Sequence, residues 1–267
     1  MANTIGFGQG AVNNTNAWGQ GAKVGGSSFS NTQSLEFDGI DAFVEVTDAD
    51  NLSFGNGATD SPFSISAWVK MDTVSNFIIA SKDATSQREY AFRMVSDTIR
   101  VFLLDNTNGG YIGRRYNSSL SSLQGVWSHF CFTYNGNSAS SGVKIYLNGS
   151  RIDDTDYQGG TYTSMINTSS NFNIGRQEIT NFDSNGNIDE LAIFNSELSS
   201  SDVTAIYNSG VPNDLSSLSP LSWWRMGEAA NYSGGQWTLT DQGSGGNDGT
   251  SLTIPGPPAQ PSTDVPT

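Results

Sequence analysis

Between residues 34 and 195, apolar and polar positions alternate along the chain. Phe63, Ile65, Ala67 and Val69 interleave with Ser64, Ser66, Trp68 and Lys70, the period of two that sets one face of a strand into a core. The same alternation runs through Ile99, Val101 and Leu103, and again through Phe130, Phe132 and Tyr134. Val143, Ile145 and Leu147 lead into Asn148-Gly149 and then Arg151 and Ile152, which predicts a hairpin, because both central residues of a type I′ turn need positive φ. Asp38-Gly39, Asn135-Gly136 and Asn185-Gly186 are read as further reversals. Many short strands with almost no helix between them predict an all-β, antiparallel sandwich.

One helix interrupts the pattern. Ser199 is placed to cap it, Asp202 stands at the capping-box position, and Val203, Ile206 and Tyr207 share a face. Gly210 is expected to supply the left-handed stop, with Pro212 beyond it. The chain divides into three zones: 1–33, a Gly-, Asn- and Gln-rich arm too poor in apolar residues for its own core; 34–210, the sandwich; and 211–267, an extension with a Trp-rich strand and a Pro/Gly-rich tail. Prolines in that tail exclude a central strand there.

Composition narrows the function. The 267 residues carry 26 acidic against 12 basic side chains, a net charge of −14. Non-specific nucleic-acid binding, which needs clustered Lys and Arg, is therefore not expected. No run approaches the roughly 20 apolar residues of a membrane span, and residues 1–10 lack the basic and apolar regions of a secretory signal. Cys131 stands alone, so no intrachain disulfide forms. Assembly in a reducing cytoplasm is the expectation.

Several segments carry a resemblance. Ser34-Leu-Glu-Phe-Asp-Gly39 with Phe43-Val-Glu-Val46, Phe63 to Val69, Trp127 to Tyr134, Val143 to Gly149, Phe172-Asn-Ile-Gly175, Gly186-Asn-Ile-Asp-Glu190 and the Leu198–Tyr207 stretch resemble, in order, the blocks of laminin-G-like jelly rolls of the concanavalin-A-like lectin/glucanase superfamily. The resemblance implies a jelly-roll sandwich with one short helix and extended terminal arms. The flanks Ile5-Gly-Phe-Gly-Gln-Gly10 and Asn13 to Gly19 resemble N-terminal segments of structural proteins of tailed phages. Trp223 to Glu228 with Asp241 to Gly249 resembles the strand and loop that usually precede such a domain, so here either a second domain is cut short or the element packs back on the first.

Candidate chemistry follows from these resemblances. Glucanases of the superfamily place alternate carboxylates on one strand face. Glu36-Phe-Asp38 begins that pattern, but Ile40 and Asp41 occupy the positions of the final Glu, so no catalytic residue is expected. His129 and Cys131 read as packed residues of one strand. Asp38, Asp41, Asp189 and Glu190 are the candidate ligands of a structural Ca²⁺, because the first and last strands are neighbours in that fold. Aromatic content is 11%. Trp68, Tyr111, Tyr116 and Tyr157 are candidates for a glycan platform. The leading expectation is a non-enzymatic virion surface protein, a capsid decoration or fibre component, assembled in the host cytoplasm. It would be anchored to other virion proteins through Phe7, Trp18, Trp223 and Trp224, form a homo-oligomer (trimer favoured) and meet host glycans. The alternative is a lectin-like carbohydrate-binding module, free or attached to a glycan-active enzyme.

Overall fold

The alternating residues become the inner faces of two antiparallel sheets. The computed structural model describes residues 29–180, 182–252 and 259–267, and Asn31–Thr267 form one compact unit. The smaller sheet runs Ser150–Arg151, Val143–Leu147, Ser128–Tyr134, Phe63–Met71, Asn185–Phe194, Ser34–Asp38 and Gln260–Ser262, with Ser222–Trp224 paired to the far part of Asn185–Phe194. The larger runs Thr155–Asp156, Tyr111–Arg115, Thr98–Leu104, Gln87–Val95, Asn76–Ala84, Phe172–Ile174, Phe43–Val46, Gly249–Leu252, Gln236–Leu239 and Ala230–Ser233. Sequence neighbours are repeatedly separated in space, which gives the jelly-roll topology expected of the sequence. Between the sheets lies one aromatic-rich core, in which Phe63 stacks on Phe54 at 4.1 Å and meets Tyr90 and Phe132 at 5.2 Å.

Local signals act as their chemistry dictates, with two corrections. Asn148 and Gly149 both take positive φ (49° and 77°) in the hairpin turn. The helix spans Ser200–Tyr207, and Ser199 and Asp202 form the reciprocal capping box. Its left-handed stop begins earlier than expected, at Asn208 (φ 44°), an Asn being tolerated in that conformation. Asn185-Gly186 is no reversal. Both residues open the long strand, and glycine is required because a Cβ at Gly186 would sit 2.1 Å from the Lys70 carbonyl oxygen of the adjacent strand.

Within 211–252 and 259–267 the chain packs back on the sandwich and supplies strands to both sheets. Pro261 lies in the edge strand Gln260–Ser262, where a missing N–H interrupts no central ladder. Trp224 is fully buried, stacked on Phe172 at 5.5 Å with its Nε1 donating to the Asn247 carbonyl at 2.8 Å. Trp223 is 5% exposed and donates to Glu190. Both indoles are buried within this chain, Trp224 between the sheets and Trp223 beside Glu190. Phe7 and Trp18, with most of the arm expected over 1–33, lie outside the described residues.

Candidate functional site

Each strand of the larger sheet sends alternate residues outward. On Gln87–Val95, the side chains of Tyr90, Phe92 and Met94 enter the core, while Ala91 and Arg93 face away; on Thr98–Leu104, Ile99, Val101 and Leu103 enter while Arg100, Phe102 and Leu104 face away. Ala91, Phe102 and Leu104 form a second small apolar cluster, and Tyr111 and Tyr157 pack on it. The two tyrosine rings lie 5.1 Å apart, and Tyr157 meets Phe102 edge-on at 6.1 Å. With Arg88 and Arg93 they line a shallow cavity of about 170 Å³.

The arginines here are in register. Arg93 is paired across the ladder with Arg100, and Arg100 with Arg115, so three cationic positions cross about 10 Å of sheet at a strand spacing near 4.8 Å. Arg93 lies over the Phe102 ring at 5.2 Å, and Arg100 and Arg115 lie over Tyr157 at 5.0 and 5.9 Å. Arg93 donates to the Gln177 amide oxygen, and Arg100 to the Tyr157 hydroxyl at 3.3 Å and the Val95 carbonyl at 3.4 Å. Among the described residues none of the three forms an ion pair. The neighbouring acids are already engaged. Asp83 is bound by Arg88 at 2.6 and 3.1 Å, while Asp153 and Asp156 are bound by Arg114. Burial and the Arg100 charge push the Arg93 guanidinium below its usual range.

A second polar centre lies on the smaller sheet. The strand Asn185–Phe194 bulges against Phe63–Met71 between Asp189 and Ala192, and Glu190 takes a positive φ of 47°. The bulge buries two adjacent carboxylates. Asp189 accepts from the Asn31 amide and from the Glu190 backbone N–H, both at 2.8 Å; Glu190 accepts from Trp223 Nε1 at 2.6 Å and Arg225 Nε at 3.1 Å. Burial raises both carboxyls above their ordinary range; the Glu190 and Glu228 charges add to this at Asp189, while at Glu190 the pull of Arg225 and Trp223 opposes burial and the Glu228 charge. Glu228 completes a trio with ligand oxygens within 4.8 Å of one another. Its Oε1 accepts from the Thr32 and Gln33 backbone N–H groups, while its Oε2 and the Asn31 Oδ1 are buried without a partner. Such orphaned oxygens fit a hard cation, which takes about 6–8 oxygen ligands; this group supplies part of that shell.

The four acids expected to converge fall into two places. Asp38 lies opposite Asn185, and Leu35 opposite Ile188, which separates Asp38 from Asp189 by about 13 Å along the strand. Asp38 instead closes its own turn: burial raises its carboxyl, but the backbone N–H groups of Ile40, Ala42 and Asp41 outweigh this and hold it below its usual value. Asp38 and Asp41 neighbour Asp183, which burial raises to about 6 against the pull of Arg176. Glu36 is exposed, and Gly39 (φ 73°) turns the chain out of the strand. Of the four expected platform aromatics, only Tyr111 and Tyr157 meet. Tyr116 packs against the core, and Trp68, 3% exposed, is covered by Tyr207 of the helix at 5.8 Å. His129 is fully buried, held by Ser66 Oγ at 2.8 Å and depressed to about 3 by burial. Burial pushes the Cys131 thiol up. Phe102, Leu104 and the three arginines escaped sequence reasoning. The signal for Phe102 and Leu104 was the second, outward set of bulky residues on Thr98–Leu104; the arginines gave none.

A larger depression of about 620 Å³ beside the helix is lined by Lys144, Tyr146, Arg151 and Glu197. Its cations are already paired, Lys144 with Glu197 at 2.7 Å and Arg151 with Asp153 at 2.9 Å.

Comparison with known proteins bears on the fold. No curated protein sequence matches the chain. A proposed carbohydrate-binding protein from Bacteroides ovatus superposes with a TM-score of 0.56 at 17% identity, covering 86% of this chain and 62% of the other; the chain thus spans less than two thirds of that protein. The heptameric SAP-like pentraxin of Limulus polyphemus matches at 15% identity with a TM-score of 0.45, over 66% of this chain and 82% of its own. The mouse laminin alpha1 LG4-5 domains match at 13% with a TM-score of 0.40, over 60% and 40%. Residues 38–204 match the Laminin_G_3 model, and with more than half of its length so matched the chain belongs to the concanavalin A-like lectin/glucanases superfamily.

Proposed function

We propose that this chain is a non-enzymatic carbohydrate-binding module whose ligand lies on the outer face of the larger sheet. The observation that carries the reading is the Tyr111–Tyr157 pair beside Phe102, lining a shallow cavity with Arg88 and Arg93. Sugar rings present a polar rim and apolar faces, and half-buried tyrosines flanked by guanidinium donors match both. The lectin-like fold and the resemblance to a proposed carbohydrate-binding protein support it. The absence of a completed carboxylate series after Glu36 and Asp38 supports the non-enzymatic part.

The proposal includes a structural Ca²⁺ held by Asp189, Glu190 and Glu228. It also includes display on a tailed-phage virion as a homo-oligomer, which rests on the resemblance of the flanking sequence; with Trp223 and Trp224 both buried within the chain, the proposed anchoring falls to Phe7 and Trp18. A glycan array spanning neutral and acidic sugars, read with the full chain and with Tyr157→Ala, tests the binding site. Signal from the wild-type chain that the substitution removes, without loss of thermal stability, is expected. Equal signal from both proteins, or none from either, would overturn it.

A further inference from the structure

A row of like charges directly opposite one another across strands is unfavourable. In a chain of net charge −14, carboxylates are plentiful, yet Arg93, Arg100 and Arg115 stand in register without one. The two arginines that flank the row are both paired, Arg88 with Asp83 and Arg114 with Asp153 and Asp156. The Nε–H groups of all three row members are buried with no acceptor. The aromatic rings beneath hold the cations by their faces, which orders the side chains. Arg93 spends one donor on Gln177, and Arg100 makes long contacts of 3.3 and 3.4 Å to Tyr157 and Val95, which leaves further N–H donors on each guanidinium. An incompletely satisfied, preorganised and like-charged row is the arrangement that an anion relieves.

We propose that the ligand of this face is an acidic saccharide, whose carboxylate or sulfate group sits on the Arg93–Arg100–Arg115 row while a sugar ring packs on Tyr111 and Tyr157. This rests on the glycan-binding reading above and adds the charge of the ligand. Three guanidinium groups across about 10 Å suit one or two anionic groups of a short saccharide stretch. They do not form the extended basic track that a nucleic-acid backbone requires.

Affinity electrophoresis in polygalacturonate, dextran sulfate, unmodified dextran and a single-stranded oligothymidylate, at low and at high salt, tests the proposal. The full chain is run beside Arg100→Gln, Arg100→Lys and Tyr157→Ala. Retardation by polygalacturonate or dextran sulfate is expected, and which of the two is stronger assigns the carboxylate or the sulfate. Dextran should bind at least about tenfold more weakly, and Arg100→Gln should cost about tenfold in affinity for the charged polymer, the worth of one charge-assisted hydrogen bond. Arg100→Lys keeps the charge but loses the fork, so it falls between. Thermal melts separate binding from folding: Arg100→Gln should melt at or above the wild-type temperature, because a like charge is removed. Dextran bound as tightly as the charged polymers, with Arg100→Gln indifferent and Tyr157→Ala inactive, would overturn the acidic ligand and leave the glycan face standing. Charged polymers and oligothymidylate bound alike, with Tyr157→Ala indifferent, would overturn the glycan face itself. No retardation in any polymer would overturn both.

Discussion

The outer faces of the two sheets start from similar sequence and end in opposite states. Phe63–Met71 in the smaller sheet and Thr98–Leu104 in the larger both alternate core residues with outward ones that include a large aromatic, Trp68 in one and Phe102 in the other. On the smaller sheet the helix closes over that aromatic. Trp68 is packed between His129 at 5.2 Å and Tyr207 at 5.8 Å, Ser64 Oγ binds the chain entering the helix, and the histidine is neutral. On the larger sheet the outward aromatics instead carry a row of cations. On the function proposed above, whether a strand's second face serves stability or recognition is decided by what the chain later lays over it.

If that contrast is right, truncating Trp68 on the smaller sheet and Tyr157 on the larger costs different amounts of stability. Trp68→Ala empties a buried site beneath a helix and should cost about 3–5 kcal/mol in urea unfolding. Tyr157→Ala removes a half-buried ring and should cost no more than about 1 kcal/mol, while abolishing glycan binding. Equal destabilisation by both substitutions would mean that the larger sheet's face is also structural.

Acid sharpens the comparison next. The folded pKa of His129, about 3, lies below its ordinary value of 6.5. Burial is the cause, since protonation would place an uncompensated charge between Trp68, Ser66 and Tyr207. Between those values the unfolded chain binds the extra proton, so the stability is whole above pH 6.5 and falls as pH drops toward 3. From pH 7 to pH 4 this amounts to about 3 kcal/mol. His129→Gln should flatten the dependence of denaturation midpoint on pH over that range; an unchanged slope would show the acid sensitivity to lie elsewhere.

What could be read beforehand follows the same division. Short-range chemistry was legible: the period-two strands, the Asn148-Gly149 turn and the Ser199 cap depend on neighbours a few residues away. Tyr111 and Tyr157 could be named as platform candidates but not separated from Trp68, because Trp68's burial is set by Tyr207, 139 positions later in the chain. The arginine row was not legible at all. Arg93, Arg100 and Arg115 are unremarkable singly and become a feature only once two hairpin registers bring them side by side. Register also explains the divided acids. Neighbouring strands were inferred, but antiparallel pairing sets Asp38 against Asn185 and carries Asp189 toward the other end, where Glu228 of a late segment waits.

That last point yields the smallest effect and the most discriminating one. If the buried carboxylates of the smaller sheet hold Ca²⁺, the ion binds the folded state alone and raises its stability by RT ln(1 + [Ca²⁺]/Kd), about 1.4 kcal/mol at tenfold the Kd. For a domain of this size that corresponds to a rise of about 3–5 °C in Tm, reversed by EGTA. Glu228→Gln should abolish the rise, because it removes one charge from the trio and neutralises the orphaned oxygen. Asp41→Asn should preserve it, since Asp41 neighbours Asp183 at the other end of the strand pair. The reverse pattern, a shift lost with Asp41→Asn and kept with Glu228→Gln, would restore the grouping expected from strand adjacency and empty the bulge of its proposed ion. Bound calcium would also leave the two sheets with opposite appetites: a cation buried on the covered side for the fold, an anion taken on the open side for recognition.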